Sequence, residues 1–197
     1  MSDVDWESRY QNEDTPWDKG VPHPALEILL KKITFRGSII VPGCGRGSDL
    51  QWLARAYPDH AVTGIDLSAS AVRDASILCK DLPHVQVRQA DFFDESQWTP
   101  PNPPGLIWEH TCFCAIPPSL RDSYVARVAQ LLPSGGLLVG VFFTNLDDGG
   151  SGPPWNCRLS ELQSRFSPWF SIEKFDGALP TFPGREGEES LQFMTRK

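Results

Sequence analysis

Three short segments of the chain combine residue types that hold a small nucleoside. The first is Gly43-Cys44-Gly45-Arg46-Gly47, whose glycines let the backbone turn tightly and approach a ligand with no Cβ in the way. The second is Asp66, about 20 residues beyond the first glycine, where an acid can accept hydrogen bonds from the vicinal hydroxyls of a ribose. The third is Asp91-Phe92, a carboxylate suited to an adenine amino group beside a ring suited to pack on the base. Each has a plainer reading: Asp66 as a capping or loop carboxylate, Asp91 as a turn residue, Phe92 as core. The glycines run Gly-x-Gly-x-Gly, not the Gly-x-Gly-x-x-Gly of dinucleotide folds, which suits a nucleoside without a pyrophosphate. That points to S-adenosylmethionine (SAM) over NAD.

Three aromatics near the N-terminus, Trp6, Tyr10 and Trp17, suit the same cofactor. An aromatic face within ~6 Å of a sulfonium contributes about 0.5–2 kcal/mol. Their spacing would let them share one helical face; the alternative is a satellite cluster plugging the end of a sheet. Glu109 and His110 stand where a proton acceptor for the reaction could sit, and His110 reads equally well as a hydrogen-bonded structural histidine. A thiol acceptor needs no strong base, because with a pKa near ~8.5 a few per cent of it is already thiolate at neutral pH. Other chemistries lack their residues. Cys112 and Cys114 are too close for a zinc knuckle and have no second pair, and His23, His60 and His84 lack metal spacing, so no metal is expected. There is no phosphate-binding P-loop and no Gly-x-Ser-x-Gly elbow.

The elements that must position these residues alternate. Strands are expected at Ser38–Val41, Ala61–Ile65, Val85–Val87, Leu106–Trp108 and Leu137–Phe143, with two more near Phe170–Phe175 and Leu191–Met194. Helices are expected from Pro24 (with Leu26, Leu29, Leu30 and Ile33), from Ser48 to Tyr57, from a Ser68 N-cap to Cys79, from Leu120 to Leu132 and at Leu159–Phe166. Alternation of this kind means a parallel α/β sheet with right-handed crossovers. Ligands then sit at the C-terminal ends of the strands, where all three segments fall.

The whole chain, 197 residues with 40% hydrophobic and 22% charged, is sized for one domain, with residues 1–20 as an N-terminal lid. A net charge of −7 argues against nucleic acid, which wants a basic face. No apolar stretch approaches the ~20 residues of a membrane span. Met1–Gln11 carries Asp3, Asp5 and Glu7 and has no apolar signal region, and the 5 cysteines are irregularly spaced, so reduced thiols in the cytoplasm are expected.

The run Val41-Pro42-Gly43-Cys44-Gly45-Arg46-Gly47-Ser48-Asp49, with Thr15-Pro16-Trp17-Asp18 upstream, resembles the thiopurine S-methyltransferase family, and within it the plant and microbial thiol/halide methyltransferases. The likeness continues through Asp91-Phe92-Phe93, Phe113-Cys114-Ala115-Ile116, Gly152-Pro153-Pro154-Trp155 and Gly184-Arg185-Glu186. It implies a Rossmann-like class I methyltransferase: a seven-stranded, mostly parallel sheet with helices on both faces and an antiparallel last strand. It also implies that Trp6, Tyr10 and Trp17 close over SAM while Gly43, Asp66, Asp91 and Phe92 bind it. His110 falls where relatives carry a cofactor-contacting Tyr. Trp155 falls where they carry a Tyr or Phe facing the substrate. Arg185 would pair with a substrate anion, or else lie at the surface beside Glu186. The expected reaction is methylation of a small thiol or hydrosulfide; the alternatives are halide methylation and SAM binding without turnover.

Overall fold

The computed structural model describes residues 4–147, 149 and 151–197. Seven strands form one sheet: β1 (Ser38–Pro42), β2 (Val62–Asp66), β3 (Val85–Gln89), β4 (Pro104–His110), β5 (Leu137–Phe143), β6 (Phe170–Lys174) and β7 (Glu189–Arg196). Their order is β3-β2-β1-β4-β5-β7-β6, and β7 runs antiparallel between β5 and β6 while the other pairs are parallel. The expected class I architecture is therefore present, with its reversal point between β1 and β4.

The central strands are apolar on both faces because helices cover both. Ile39 and Val41 of β1, Leu106 and Trp108 of β4, and Val139 and Val141 of β5 pack on one side. They meet Leu26 and Leu29 of α2 (Leu26–Lys32) and Leu50 and Leu53 of α3 (Ser48–Ala56). Ile40, Ile107, Leu138 and Phe142 face the other side, against Tyr124, Val125 and Val128 of α5 (Arg121–Leu131) and Leu162 and Phe166 of α6 (Leu159–Phe166). The two-residue period of a strand is thus kept although neither face is polar.

Boundaries differ from the sequence reading by small, explicable amounts. α2 begins at Leu26, not Pro24, because a preceding turn closes between the Leu26 N–H and the His23 carbonyl. The side chain of Leu30 lies outside the described residues. α4 (Ala69–Leu78) starts as expected on Ser68, whose hydroxyl accepts from the Ala71 N–H. A 3-10 turn at Pro118–Leu120 precedes α5. An additional helix, α1 (Trp6–Gln11), is capped by Asp5, whose carboxylate accepts from the Ser8 N–H. Among the described residues no helix is long and apolar enough to cross a membrane.

One position shows how tightly the sheet is set. Gly140 of β5 pairs with Glu109 of β4, and a Cβ on Gly140 would sit 2.6 Å from the Glu109 Cβ. Overpacking at such a site costs about 1–3 kcal/mol. Gly140→Ala should therefore lower Tm by several degrees in a thermal melt, and an unchanged Tm would contradict this packing.

Candidate active site

The C-terminal ends of the first four strands open onto a cavity of about 550 Å³. Gly43, after β1, and Asp66, ending β2, both line it. The Asp66 carboxylate is buried and accepts from two backbone N–H groups, Gly45 at one oxygen and Ser68 at the other, each at 2.9 Å. Burial raises its pKa, and those two N–H donors pull against the rise. The glycine loop requires its glycines. Gly43, Gly45 and Gly47 all have positive φ, and a Cβ on Gly47 would meet the Ala75 Cβ at 2.9 Å.

Asp91 lies two residues past the end of β3 and lines the cavity, with one oxygen accepting from the Phe93 N–H at 2.9 Å. Its turn role and its exposure to the cavity are compatible. Phe92 is buried against Trp98 and Tyr124 while bordering the same cavity.

The three N-terminal aromatics come together, though not along one helix. α1 ends at Gln11, and the chain turns back to bring Trp17 edge-on to Trp6 (5.4 Å between centroids) and to Tyr10 (5.7 Å). The Trp17 indole N–H donates to the Tyr10 hydroxyl at 3.2 Å, and the Arg9 guanidinium lies 4.4 Å from the Trp17 ring centroid. All four side chains line the cavity.

Two latches hold this segment down. The Glu7 carboxylate accepts from the Ser68 and Ser70 hydroxyls, both at 2.7 Å, and from the Ser70 N–H at 3.0 Å. Those donors, the Ser68 hydroxyl first, hold Glu7 down at about 2. Arg46, from the glycine loop, donates to the Thr15 hydroxyl and to Asp18 on one side and to Asp74 of α4 on the other. Neither latch is legible in the sequence, because each joins residues far apart along the chain.

At the end of β4, both proton-acceptor candidates are engaged. Glu109 is fully buried and accepts from the Phe113 N–H at 2.7 Å and from the Tyr124 hydroxyl. It thereby anchors the loop that brings Thr111, Cys112 and Cys114 to the cavity wall. His110 does not line that cavity. Its Nδ1 contacts Asp49 at 2.7 Å, and Asp49 also accepts from the Trp108 indole and the His23 N–H. The His110 ring faces a small recess of about 60 Å³ beside the glycine loop, where its buried Nε2 has no hydrogen-bond partner.

Trp155 is half-buried with its ring over Gly152, where a Cβ would meet it at 2.4 Å; Pro153 and Pro154 line the cavity in its place. Arg185 does line the cavity, but it pairs with Glu189 at 3.1 Å rather than with Glu186, which turns back to its own loop. His23, His110 and Glu189 place one potential metal-ligand atom each within 4.8 Å of one another. Hydrogen bonding already accounts for the His23 ring: Nδ1 accepts from the Ala25 N–H, so Nε2 carries the proton and donates to Glu189.

Comparison with known proteins decides what this arrangement belongs to. The family model for thiopurine S-methyltransferase matches residues 1–195. The chain belongs to the thiopurine S-methyltransferase family. It is 34% identical over 192 residues to probable thiol methyltransferase 2 of Arabidopsis thaliana, covering 94% of this chain and 82% of that one. It is 31% identical over 186 residues to thiocyanate methyltransferase 1 of the same plant, covering 92% and 81%. Among solved structures, a didemethyltoxoflavin N1-methyltransferase of Burkholderia thailandensis, with bound S-adenosylhomocysteine, superposes at TM-score 0.70 with 18% identity, covering 96% and 84%. The N-methyltransferase NodS of Bradyrhizobium japonicum, also with S-adenosylhomocysteine, gives TM-score 0.70 at 16% identity, covering 97% of each chain. The chain is thus a SAM-dependent S-methyltransferase.

The methyltransferase's own residues fit that cofactor. The cavity lies within the ~300–1,000 Å³ range of small-molecule sites. A Cβ on Gly43 would come within 3.0 Å of the Cys112 Cβ, and one on Gly45 within 3.0 Å of the Tyr10 hydroxyl, so the cradle stays open only with glycine.

The Glu109 anchor gives the methyltransferase a testable pH dependence. Burial lifts this carboxyl from the ordinary 4.5 to about 7, with the Phe113 N–H and the Tyr124 hydroxyl pulling it back. Folding therefore favours the protonated form. That contribution to stability is complete below pH 4.5 and is lost as pH rises through about 7. Glu109→Gln, which does not titrate, should gain stability relative to wild type across this window. Urea unfolding of both proteins at about pH 5 and about pH 8 measures the gap; a gap that stays constant contradicts the assignment.

Proposed function

We propose that this methyltransferase methylates a small, soft anion: a thiolate or hydrosulfide first, with halide or thiocyanate as close alternatives. The observation that carries this is an apolar stretch of cavity wall with Arg185 beside it, from which both base candidates at the end of β4 are withdrawn. Ile116, Phe143, Leu146, Pro153 and Pro154 line the acceptor side, and Arg185 stands among them. Both oxygens of Glu109 are engaged, and His110 lies outside the cavity. An acceptor that arrives already ionised needs no base. The names of the plant relatives, a probable thiol methyltransferase and a thiocyanate methyltransferase, support the same class.

In this reading Asp66 accepts from the ribose hydroxyls and Asp91 from the adenine amino group. Phe92 packs beside the base, and Gly43 lets the backbone come close. Trp6, Tyr10 and Trp17 cover the cofactor and keep water out, and His110 borders its amino-acid end across the small recess. When bound, SAM supplies an activated methyl group together with its own leaving group. The chain contributes alignment and dryness, which for a displacement between two soft sulfur centres is most of what an enzyme has to supply. Cytoplasmic residence is part of the proposal: all five cysteines are free, and four are buried.

Headspace gas chromatography after incubation with SAM and a panel of hydrosulfide, thiols, thiopurines and iodide tests the proposal. Volatile methylated product from the soft anions supports it. Cofactor binding with no product from any acceptor favours a binding protein without turnover.

The pH profile tests whether a protein base takes part. With a titrating thiol, kcat/KM should rise with pH and level off near the acceptor's own pKa, at lower pH for the more acidic of two thiols; iodide should show no rise. Midpoints that ignore thiol acidity and sit near ~6.5 would instead indicate a histidine base, and His110→Gln would then flatten that limb.

A further inference from the structure

Arg185, the cation of the proposed acceptor site, does not present a free charge. Its Nη1 donates to Glu189 at 3.1 Å, and its guanidinium lies 5.2 Å from the Phe143 ring centroid and 5.4 Å from that of Phe182. Glu189 opens β7, and its side chain is 1% exposed. Its other oxygen accepts from His23 Nε2 at 3.2 Å and from the Thr181 hydroxyl. His23 cannot offset the carboxylate with a second positive charge. Its Nδ1 already accepts the Ala25 N–H, so the ring is held neutral, and burial disfavours its protonated form. The Arg185–Glu189 pair is therefore close to electrically balanced at the edge of an apolar cavity. Of the other charged side chains on that cavity, Asp66, Asp91 and Glu188 are acidic, while Arg9 and Lys19 belong to the N-terminal segment, Arg9 over the Trp17 ring and Lys19 donating to the Pro16 carbonyl.

We infer that Glu189 sets the anion specificity of the acceptor site, by balancing Arg185 so that only weakly hydrated monoanions enter. A strongly hydrated anion loses more on leaving water than a compensated guanidinium returns, whereas a large polarisable one loses little. With an uncompensated Arg185 the same cavity would attract any anion. This rests on Arg185 being the acceptor-side cation, as in the function proposed above, and it assigns to Glu189 a role that no motif in the sequence marks.

The test measures anion binding without turnover, so that it stands apart from whether methylation occurs. Calorimetric titration of the full chain loaded with S-adenosylhomocysteine, using sodium salts of thiocyanate, iodide, bromide and chloride, reads the site directly. The wild type should follow the order of weakening hydration, thiocyanate and iodide binding tightest and chloride weakest. Glu189→Gln keeps the side-chain size and an oxygen for Arg185 but removes the charge. It should bind chloride at least about tenfold more tightly and compress the thiocyanate-to-chloride ratio by a similar factor, with affinity for S-adenosylhomocysteine unchanged. In an Arg185→Ala background the same change should have no effect on anion affinity, because Glu189 acts through Arg185. A wild type that binds no anion, or binds chloride as tightly as thiocyanate, overturns the inference, and it does so even if Glu189→Gln fails to fold. So does a folded Glu189→Gln protein whose ratio is unchanged, or an equal effect with and without Arg185.

Discussion

The site depends on one buried carboxylate. Asp66 ties the loop after β1 to the start of α4 by accepting the Gly45 and Ser68 N–H groups, while its flank remains on the cavity. An acid placed there must be hydrogen-bonded, since a buried, unpaired carboxylate would be prohibitively unfavourable. Two backbone donors meet that requirement and leave lone pairs for a ligand. The glycine loop follows from the same constraint. The backbone reaches Asp66 only by turning through positive φ at Gly43 and Gly45, which also clears the floor of the cavity.

The same device recurs around the sheet edge. Asp49 gathers the His23 N–H, the Trp108 indole and His110, and Glu109 gathers the Phe113 N–H and the Tyr124 hydroxyl. Each acid at a strand end or first helical turn thus fixes a neighbouring loop, and the loops rather than the strands supply most of the cavity wall. The N-terminal segment is added to this frame from outside, through Glu7 on the Ser68–Ser70 turn and Arg46 on Thr15 and Asp18. Ser68 serves both sides: it caps α4, donates its backbone N–H to Asp66 and donates its hydroxyl to Glu7. The N-terminal segment and the cavity floor thus meet at Ser68 as well as at Arg46.

How much of this was legible in the sequence follows from the range of each interaction. The alternation of strands and helices, the Ser68 cap and the positions of Gly43, Asp66 and Asp91 at successive strand ends are local patterns, and they survive intact. The pairing of Trp17 with Trp6 and Tyr10 was legible as composition but not as geometry, because the turn after Gln11, not a helical period, brings the rings together. Glu7 and Ser68 lie 61 residues apart, and His23 and Glu189 lie 166 apart. No spacing rule reaches that far, so these partners emerge only from the fold. Trp155 is marked by the family resemblance and His110 by its place at the end of β4, yet the cavity is bordered by the prolines beside one and the Thr111–Cys112 segment beside the other.

The central claim is that the Asp66 carboxylate both closes the loop and holds the cofactor's ribose. Calorimetric titration of S-adenosylhomocysteine into wild type and Asp66→Ala, with thermal melts of both, tests it most directly. Loss of a charged acceptor for a buried hydroxyl pair should weaken binding by about 1.5–3 kcal/mol, roughly ten- to a hundredfold, in a variant that still melts cooperatively. Unchanged affinity in a folded Asp66→Ala protein would contradict the account.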